Sequence, residues 1–486
     1  MDLTLTRLNQ QYIGGQWRDG SSERRLSVRN PFDNAEIGVF TIASKADIDE
    51  AYLAARAAQP AWEAMSAYQR RTVFENAAAI VERRRDEITA LIIREVGGTA
   101  LKAAFEIGLV IDAIKEAGTT GFRIQGSIIP SPVPNTENYV YRKALGVVGV
   151  ISPFNFPFFL GLKPVVAALS TGNGVVLKPH EATPITGGTL MAEIFEEAGL
   201  PAGLFNVTVT EIPEIGDYFL EHPVPRAIVF TGSAPVGRHV GEVCARHFKK
   251  AILELGGNSA FIVLEDADID YAVESATFSR FTHQGQICMS ANRVLVHSSV
   301  AAEFREKFAR KVSGLRTGDP ADPATIVGPL INRREVENLE RTVDEAIAAG
   351  ANALVRQGSR GNVLGPVVLD NVKSSDAVAQ GELFGPVILI MEFADDDQAI
   401  TIANDTEYGL SGAIHTKDLA RGVRLAKRIE TGMVHINDST ISDEPIVPFG
   451  GEKNSGIGRL SGQATIDELT TQQWISVNHG QSRYPY

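Results

Sequence analysis

Cys288 lies in a polar segment of the sequence, although a structural cysteine normally belongs to an apolar run. The stretch FTHQGQICMSANR, residues 281–293, holds one of only two cysteines in a chain of 486 residues. A thiolate can act as a nucleophile where it is accessible, has an oxyanion donor nearby and can be regenerated. Cys288 is therefore a candidate nucleophile, whereas Cys244 lies in a helical pattern and is expected to be a buried packing residue.

Two other segments carry side chains that would complete such chemistry. Glu254 interrupts the apolar run AILELGG, and partial burial would raise the pKa of its carboxyl toward the range of a general base. Asn155, in NFP at 155–157, could donate its side-chain amide to an oxyanion. Taken alone, Glu254 also fits an edge strand facing water, and the asparagine fits an Asx turn before proline.

The stretch FTGSAPVGRHV, residues 230–240, has the composition of a strand-to-helix turn. Gly232 and Gly237 have the spacing of a P-loop, but Arg-His stands where Lys-Ser/Thr is required, so that motif is absent. Ser233 and the free backbone N–H groups at the start of the helix would instead form a general anion site. An ordinary turn is the alternative.

Two further turns each carry an acidic residue. Lys178 and Glu181, in VVLKPHEATP, follow a predicted strand and could hydrogen-bond the two hydroxyls of a ribose. Glu382 and Phe384 lie in GELFGPV, a Phe-Gly-Pro turn with a second acid. For both segments the alternative is a surface loop with mixed charge.

Alternating strands and helices must position these residues. Between residues 145 and 257, short β-rich runs alternate with helical patterns, which predicts βαβ units and a parallel sheet with ligands at the carboxyl ends of its strands. The predicted strands are 146–152, 174–179, 204–210, 226–232 and 250–257. The alternation resumes with predicted strands at 261–265, 293–298 and 386–393. We therefore predict a second α/β domain that begins near residue 257.

The regions before this sheet have different patterns. Ser44 and Asp47 predict a capping box and a helix over 44–58, and a second helical pattern covers 68–97. Residues 121–143 are rich in proline and glycine and contain short β-prone runs, which predicts a hairpin arm that leaves the main body.

Composition narrows the class of protein. Apolar residues make up 44% of the chain and charged residues 22%, as in a folded globular protein. The net charge of −13 disfavours a nucleic-acid partner. Two cysteines and no visible secretory signal or spanning apolar run predict a cytoplasmic protein without a membrane partner. Because HExxH, paired CxxC and GxSxG are absent, we predict neither a metal site nor an α/β-hydrolase.

Taken together, seven motifs resemble the NAD(P)-dependent aldehyde dehydrogenase superfamily. They occur in the order PFNFP, LKPHEATP, FTGSAPVGR, ELGGNSA, GQIC, ELFGPV and PFGG, and the resemblance extends over residues 12–459. It implies a Rossmann-like parallel-sheet cofactor domain, a second α/β catalytic domain, a small β oligomerisation arm, and a homodimer or homotetramer. The implied parts are 1–120 with 144–256 for NAD binding, 257–465 for catalysis, and 121–143 with 466–486 for the arm and tail.

The resemblance also implies a role for each candidate residue. Cys288 matches the nucleophile, Glu254 the base that activates the deacylating water, and Asn155 the oxyanion donor together with the backbone N–H of Cys288. The cofactor residues are matched as follows: Lys178 and Glu181 at the adenosine ribose, Ser233 with Gly232 and Gly237 at the pyrophosphate, Glu382 at the nicotinamide ribose, and Phe384 packed nearby. Leu460 replaces an acid that assists proton exit in some relatives.

The expected activity is oxidation of an aldehyde to a carboxylate through a thiohemiacetal and a thioester on the cysteine. NAD is the expected cofactor, because Glu181 would repel a 2′-phosphate by about 4 kcal/mol at ~4 Å and an effective dielectric of ~20. Screening of that repulsion leaves use of NADP open. The alternatives are a CoA-acylating enzyme and a non-catalytic protein on the same scaffold.

An uncharged aromatic aldehyde is the expected substrate. HQGQICM and the tail SRYPY are similar to the benzaldehyde- and vanillin-type branch of the family. Five apolar residues are predicted to line the pocket: Phe156, Phe158, Phe159, Leu160 and Phe449. Several of these could instead pack the core. An aliphatic aldehyde is one alternative, and Lys163 would favour a semialdehyde if its ammonium faced the pocket.

Overall fold

A largely parallel sheet of eight strands forms the first half of the fold. The structure is a computed structural model that describes residues 7–486. The prediction that no secretory signal is present rests partly on the first six residues, which lie outside the described residues. The central five strands are parallel, and their apolar runs are buried on both faces. In spatial order the strands are Gln16–Arg18, Gln11–Ile13, Phe205–Val207, Gly174–Lys178, Val147–Ile151, Ala227–Thr231, Lys250–Glu254 and Gly456–Ile457.

The direction of strand addition reverses at the central strand of this sheet. From the strand that ends at Ile151, the chain adds two strands on one side and then two on the other. Ile151 is level with Lys178 on one side and with Phe230 on the other, and Thr231 is level with Glu254. The loops after these four strands therefore leave the same edge, where α/β sheets bind ligands.

A second sheet of seven strands is parallel except at one edge. Apolar clusters cover both of its faces, and the predicted α/β class with parallel sheets is confirmed. Its strands, in spatial order, are Asn352–Arg356, Val367–Asp370, Val387–Phe393, Ala291–His297, Ser259–Val263, Gly412–His415 and His435–Ile436. Residue 257 falls between the two sheets, but the strand Gly456–Ile457 returns to the first sheet, and the division into domains stays a prediction.

Helices cover the sheets. The predicted capping box at Ser44 is confirmed, and its helix continues to Ala64. The single helix predicted over 68–97 is wrong in one respect: two helices meet at Arg84, and the second ends at Gly97, whose φ of +68° suits glycine. The helices of eight or more residues are Lys45–Ala64, Ala67–Arg83, Arg85–Val96, Ala100–Thr120, Pro157–Ser170, Leu190–Glu197, Ala234–Arg246, Ile269–Phe281, Ala301–Ser313, Arg333–Ala348, Asp396–Asn404, Leu419–Ala426 and Gly462–Leu469.

The predicted hairpin arm is present. Ser127–Pro130 pairs antiparallel with Thr136–Ala144, and Thr470–Asn478 adds a third strand from the C-terminal segment. Ile128 is 74% exposed and Trp474 is 70% exposed, so this small sheet presents apolar side chains to solvent in one subunit. Within residues 7–486, no helix combines the length and the apolar character that crossing a bilayer requires.

Candidate active site

Asn155 lies in the loop after the central strand of the first sheet. Pro157 then occupies the first position of the following helix, where its fixed φ is tolerated. The Asn155 side chain is buried, and its Nδ2 donates to the carbonyl oxygen of Gln286 at 2.8 Å. An amide nitrogen carries two N–H donors, so one orients the group while the other remains for a ligand.

A buried ion pair, Lys102 with Glu106, holds the start of the helix that follows Asn155. Glu106 Oε1 accepts the backbone N–H groups of Phe158 and Phe159 at 3.0 and 3.1 Å, and it therefore caps the N-terminus of the helix after Asn155. Lys102 donates to the same carboxylate, and both side chains are fully buried. This pair was not predicted from the sequence, because the helix Ala100–Thr120 was not predicted, although its Lys and Glu have i,i+4 spacing.

Cys288 lies in a turn between a helix and a strand of the second sheet. The turn needs an unusual backbone: His283 and Gln284 have φ of 49° and 57°. A Cβ on Gly257 would lie 2.3 Å from the carbonyl oxygen of Cys288, so only glycine fits there. Burial, followed by the carboxyl groups of Glu382 and Glu254, raises the pKa of the Cys288 thiol, which is therefore protonated at neutral pH. Cys244, in contrast, is buried within a helix, as predicted.

Glu254 ends its strand beside this turn with an unpaired carboxyl group. Neither carboxylate oxygen has a hydrogen-bond partner among residues 7–486. Burial raises the pKa of Glu254 from 4.5 to about 8, with Lys163 lowering and Asp443 raising the pKa to smaller extents. A carboxyl with that pKa can take up and release a proton near neutral pH, as a general base must.

A cleft of about 750 Å³ opens at the carboxyl edge of the first sheet. Of the candidate residues, nine line it: Asn155, Lys178, Glu181, Gly232, Ser233, Glu254, Cys288, Glu382 and Phe384. Gly237 is the exception. It lies inside the helix Ala234–Arg246, where a Cβ would come within 2.3 Å of a methyl group of Leu255, so it serves close packing rather than the cleft wall.

The polar groups of this cleft suit a dinucleotide. Among residues 7–486, the buried Lys178 Nζ has only the carbonyl oxygen of Pro179 at 3.5 Å and Glu181 at 3.9 Å near it, so it lacks close acceptors there. Burial lowers the pKa of Lys178. Ribose hydroxyls would supply them. Ser233 is the N-cap of a 13-residue helix and makes no side-chain capping bond, which leaves N–H groups for a pyrophosphate.

Glu382 faces the catalytic end of the cleft. It accepts the backbone N–H of Gly257 at 3.1 Å, and burial raises the pKa of its carboxyl to about 7. A Cβ on Gly256 would lie 2.5 Å from Glu382 Oε2, so a larger residue at this position would displace the Glu382 carboxyl group. Phe384 packs edge-to-face against Phe154, with ring centroids 5.8 Å apart, and closes this part of the wall.

A narrow apolar pocket meets the cleft at Cys288 and Asn155, which line both cavities. Apart from these two residues, its wall consists of Phe105, Leu109, Phe156, Phe159, Leu160, Ile287, Met289, Ile441, Asp443 and Phe449. The prediction for Phe158 is wrong, because this side chain is fully buried in the core. Phe158 and Phe159 are neighbours on one helix and point about 100° apart, so only one faces the pocket.

Lys163 does not present a free cation to the pocket. Its Nζ donates to both carboxylate oxygens of Asp443 at 2.8 and 2.7 Å, and it lies 4.1 Å from the ring centroid of Phe449. The side chains of Lys163 and Asp443 are only 10% and 3% exposed. Asp443 was not predicted from the sequence, because it lies in an irregular segment without periodicity and 280 residues from its partner.

Known proteins resemble this chain over nearly its whole length. A profile described as the aldehyde dehydrogenase family matches residues 17–475. The chain is 57% identical over 479 residues to benzaldehyde dehydrogenase YfmT of Bacillus subtilis (strain 168), covering 99% of each chain. It is 46% identical over 467 residues to a vanillin dehydrogenase of Corynebacterium glutamicum, covering 96% of each. A crystal structure of an NAD-dependent benzaldehyde dehydrogenase from Corynebacterium glutamicum superposes with a TM-score of 0.90 at 43% identity, covering 97% of this chain and 99% of that one.

Proposed function

This chain belongs to the aldehyde dehydrogenase family, and we propose that it oxidises an uncharged aromatic aldehyde to the carboxylate with NAD. One observation carries the proposal: Cys288 and Asn155 line both the dinucleotide-sized cleft and the apolar pocket. An aldehyde in the pocket and a nicotinamide in the cleft would therefore meet at the same thiol.

Residues of the cleft would hold the cofactor. Lys178 and Glu181 would bind the adenosine ribose, the helix start at Ser233 would bind the pyrophosphate, and Glu382 would bind the nicotinamide ribose. When bound, NAD accepts a hydride from the substrate carbon. The negative charge of Glu181 favours NAD over NADP, and relatives with NAD in their names agree with that preference.

Cys288 and Asn155 would perform the first half of the reaction. The thiol releases its proton to a water molecule in the cleft, and Sγ forms a bond to the aldehyde carbon while the carbonyl π electrons move to oxygen. Asn155 Nδ2 and the backbone N–H of Cys288 donate to this alkoxide, which is the charge that develops in the transition state. Loss of hydride from the same carbon restores the carbonyl and leaves a thioester on Cys288.

Glu254 would perform the second half. Its carboxylate takes a proton from a water molecule, the water oxygen attacks the thioester carbon, and the carbon–sulfur bond breaks to return the thiolate. With a pKa raised to about 8, the carboxylate is a stronger base than an exposed glutamate. A CoA-acylating enzyme has no need of this base, so a carboxylic acid formed without CoA supports the hydrolytic route.

The pocket supports an uncharged aromatic substrate over a semialdehyde. Phe156, Phe159 and Phe449 offer apolar surface and edge-to-face contacts, each worth about 0.5–1.5 kcal/mol beyond burial. Asp443 neutralises Lys163, and none of the described residues that line the pocket is a cation that could pair with a substrate carboxylate. The relatives named as benzaldehyde and vanillin dehydrogenases point to the same class.

A substrate panel tests the proposal. Benzaldehyde, a hydroxylated benzaldehyde, hexanal, betaine aldehyde and succinic semialdehyde are ranked by kcat/KM with NAD and with NADP. We expect an aromatic aldehyde to lead, with NAD preferred, and Cys288→Ala to abolish turnover. A lead of more than about tenfold for the semialdehyde, or ~1.4 kcal/mol in the transition state, would contradict the substrate class. Full turnover by Cys288→Ala would contradict the nucleophile.

We also propose a symmetric homodimer or homotetramer in the cytoplasm. The exposed apolar residues of the arm, Ile128, Ile129, Tyr141 and Trp474, support association through this sheet. Both cysteines are free, which fits a reducing compartment. A monomer by light scattering at micromolar concentration would contradict the assembly.

A further inference from the structure

The pocket that would hold the aldehyde has one acid, Asp443, in an otherwise apolar wall, and the ion-pair partner of this acid, Lys163, does not line the pocket. Ten side chains line this pocket besides Cys288 and Asn155, and Asp443 is the only ionisable group among them. A buried ion pair is weak evidence for stability, because desolvation of both charges offsets their attraction. Its place on the substrate side of the site suggests a role in recognition.

The Asp443 carboxylate has acceptor capacity to spare. Two carboxylate oxygens offer about four lone-pair positions. Within residues 7–486, the Lys163 ammonium is the only hydrogen-bond donor to this group, with one contact to each oxygen. The carboxylate therefore remains an acceptor that a bound molecule can use.

The surroundings restrict which molecule that is. Phe159 and Phe449 flank Lys163 at 5.7 and 4.1 Å from their ring centroids, which fixes the ammonium and places aromatic surface beside the carboxylate. A flat ring against these phenylalanines would bring a substituent to Asp443. A second carboxylate there would meet a like charge, whereas a hydroxyl would donate a hydrogen bond to it.

Resting on the proposed function, we infer that the Lys163–Asp443 pair recognises a hydroxyl group on the ring of the aldehyde. The preferred substrates are then hydroxylated aromatic aldehydes. The ammonium orients the carboxylate through its two hydrogen bonds, and the hydroxyl group of the substrate donates a further hydrogen bond to a carboxylate oxygen. Asp443 is thus a specificity-determining residue for the ring, remote from the carbonyl chemistry.

The test compares matched substrates that differ only in whether the ring substituent can donate a hydrogen bond. The 2-, 3- and 4-hydroxybenzaldehydes are each paired with the methoxybenzaldehyde of the same substitution, at a pH where the phenol is protonated. A methoxy group has the oxygen but no proton to donate. We expect at least one hydroxy isomer to exceed its methoxy partner by roughly tenfold or more in kcat/KM, as for a hydrogen bond to a charged group.

The double variant Lys163→Met/Asp443→Leu removes both charges together. It leaves no lone buried charge, and it removes opposing influences on the pKa of Glu254. We expect the hydroxy-to-methoxy ratio to fall to within about threefold of one. If the double variant does not fold, the test uses Asp443→Asn, which keeps the volume of the side chain. This variant should lower the hydroxy-to-methoxy ratio of kcat/KM at least threefold, because a neutral acceptor binds the hydroxyl more weakly.

Three results would overturn the inference. They are a wild-type ratio within threefold of one for every isomer, a ratio that survives in the double variant, and an unchanged ratio in Asp443→Asn. If the wild-type protein oxidises benzaldehyde in these cases, the proposed function stands and only the role of the pair is wrong. A protein that oxidises no aromatic aldehyde overturns the proposed function and this inference with it.

Discussion

Glu254→Gln separates the two halves of the reaction. Both oxygens of Glu254 lack a hydrogen-bond partner within residues 7–486, and burial raises its pKa from 4.5 to about 8. A rise of that size corresponds to about 5 kcal/mol of preference for the neutral form, at about 1.4 kcal/mol per pKa unit. Glutamine resembles that neutral form in size and charge, so we expect the variant to fold with unchanged stability.

The expected kinetic loss follows from the missing base. General-base catalysis contributes roughly 10²- to 10⁴-fold, so steady-state turnover should fall by that factor. Attack of Cys288 and hydride loss should still proceed once, because Asn155 is unaffected. In the wild type, the active carboxylate form decreases about tenfold for each pH unit below 8, and turnover limited by deacylation should therefore rise with pH up to about 8 and then level off.

Stopped-flow absorbance of the reduced nicotinamide measures the first turnover and the later steady-state rate separately. The wild type should show continuous turnover, and Glu254→Gln should show a burst of about one equivalent per active site followed by near arrest. Steady-state profiles between pH 6 and 9 report the titration. Wild-type turnover by the variant, or a flat profile while deacylation limits the rate, would refute the assignment of Glu254 as the base.

Three further variants test other parts of the site and the assembly. Asp443→Asn leaves the Lys163 ammonium without a counter-charge. We expect kcat/KM for a carboxybenzaldehyde to rise roughly tenfold, as for a hydrogen bond to a charged group. An unchanged kcat/KM would show that the Lys163 ammonium does not reach the substrate. Glu181→Gln removes a charge that repels a 2′-phosphate by at most about 4 kcal/mol, and screening reduces the expected gain in the NADP-to-NAD ratio of kcat/KM to roughly ten- to a hundredfold; an unchanged ratio would place the phosphate elsewhere. Ile128→Asp puts a charge on an exposed apolar position of the arm, and light scattering should show smaller assemblies than for the wild type.

Local patterns in the sequence were sufficient to place most candidate residues. The strands ending at Lys178 and Glu254 are short apolar runs, and a polar side chain at the end of such a run is visible without a structure. Parallel strands then bring their carboxyl ends to one edge, which is why residues distant in the chain could be grouped. The polar turn around Cys288 was conspicuous for the same local reason.

What the sequence did not reveal depends on contacts between distant segments. The direction of the Lys163 ammonium stayed open in the sequence, because nothing near this residue in the chain indicates Asp443. Phe158 could not be distinguished from Phe159 until the direction of their helix was known. Glu106 caps a helix that begins 51 residues later, and only the packing of the two helices reveals that role.

The return of Gly456–Ile457 to the first sheet has a consequence for how the chain folds. This short strand pairs with the strand that ends at Glu254, so during synthesis that edge stays uncovered until the ribosome has made some two hundred further residues. An uncovered edge offers unpaired N–H and C=O groups to any neighbouring chain. A fragment that stops at residue 257 would therefore expose an aggregation-prone edge, and the strand bearing the catalytic base is completed only late in the life of the nascent chain.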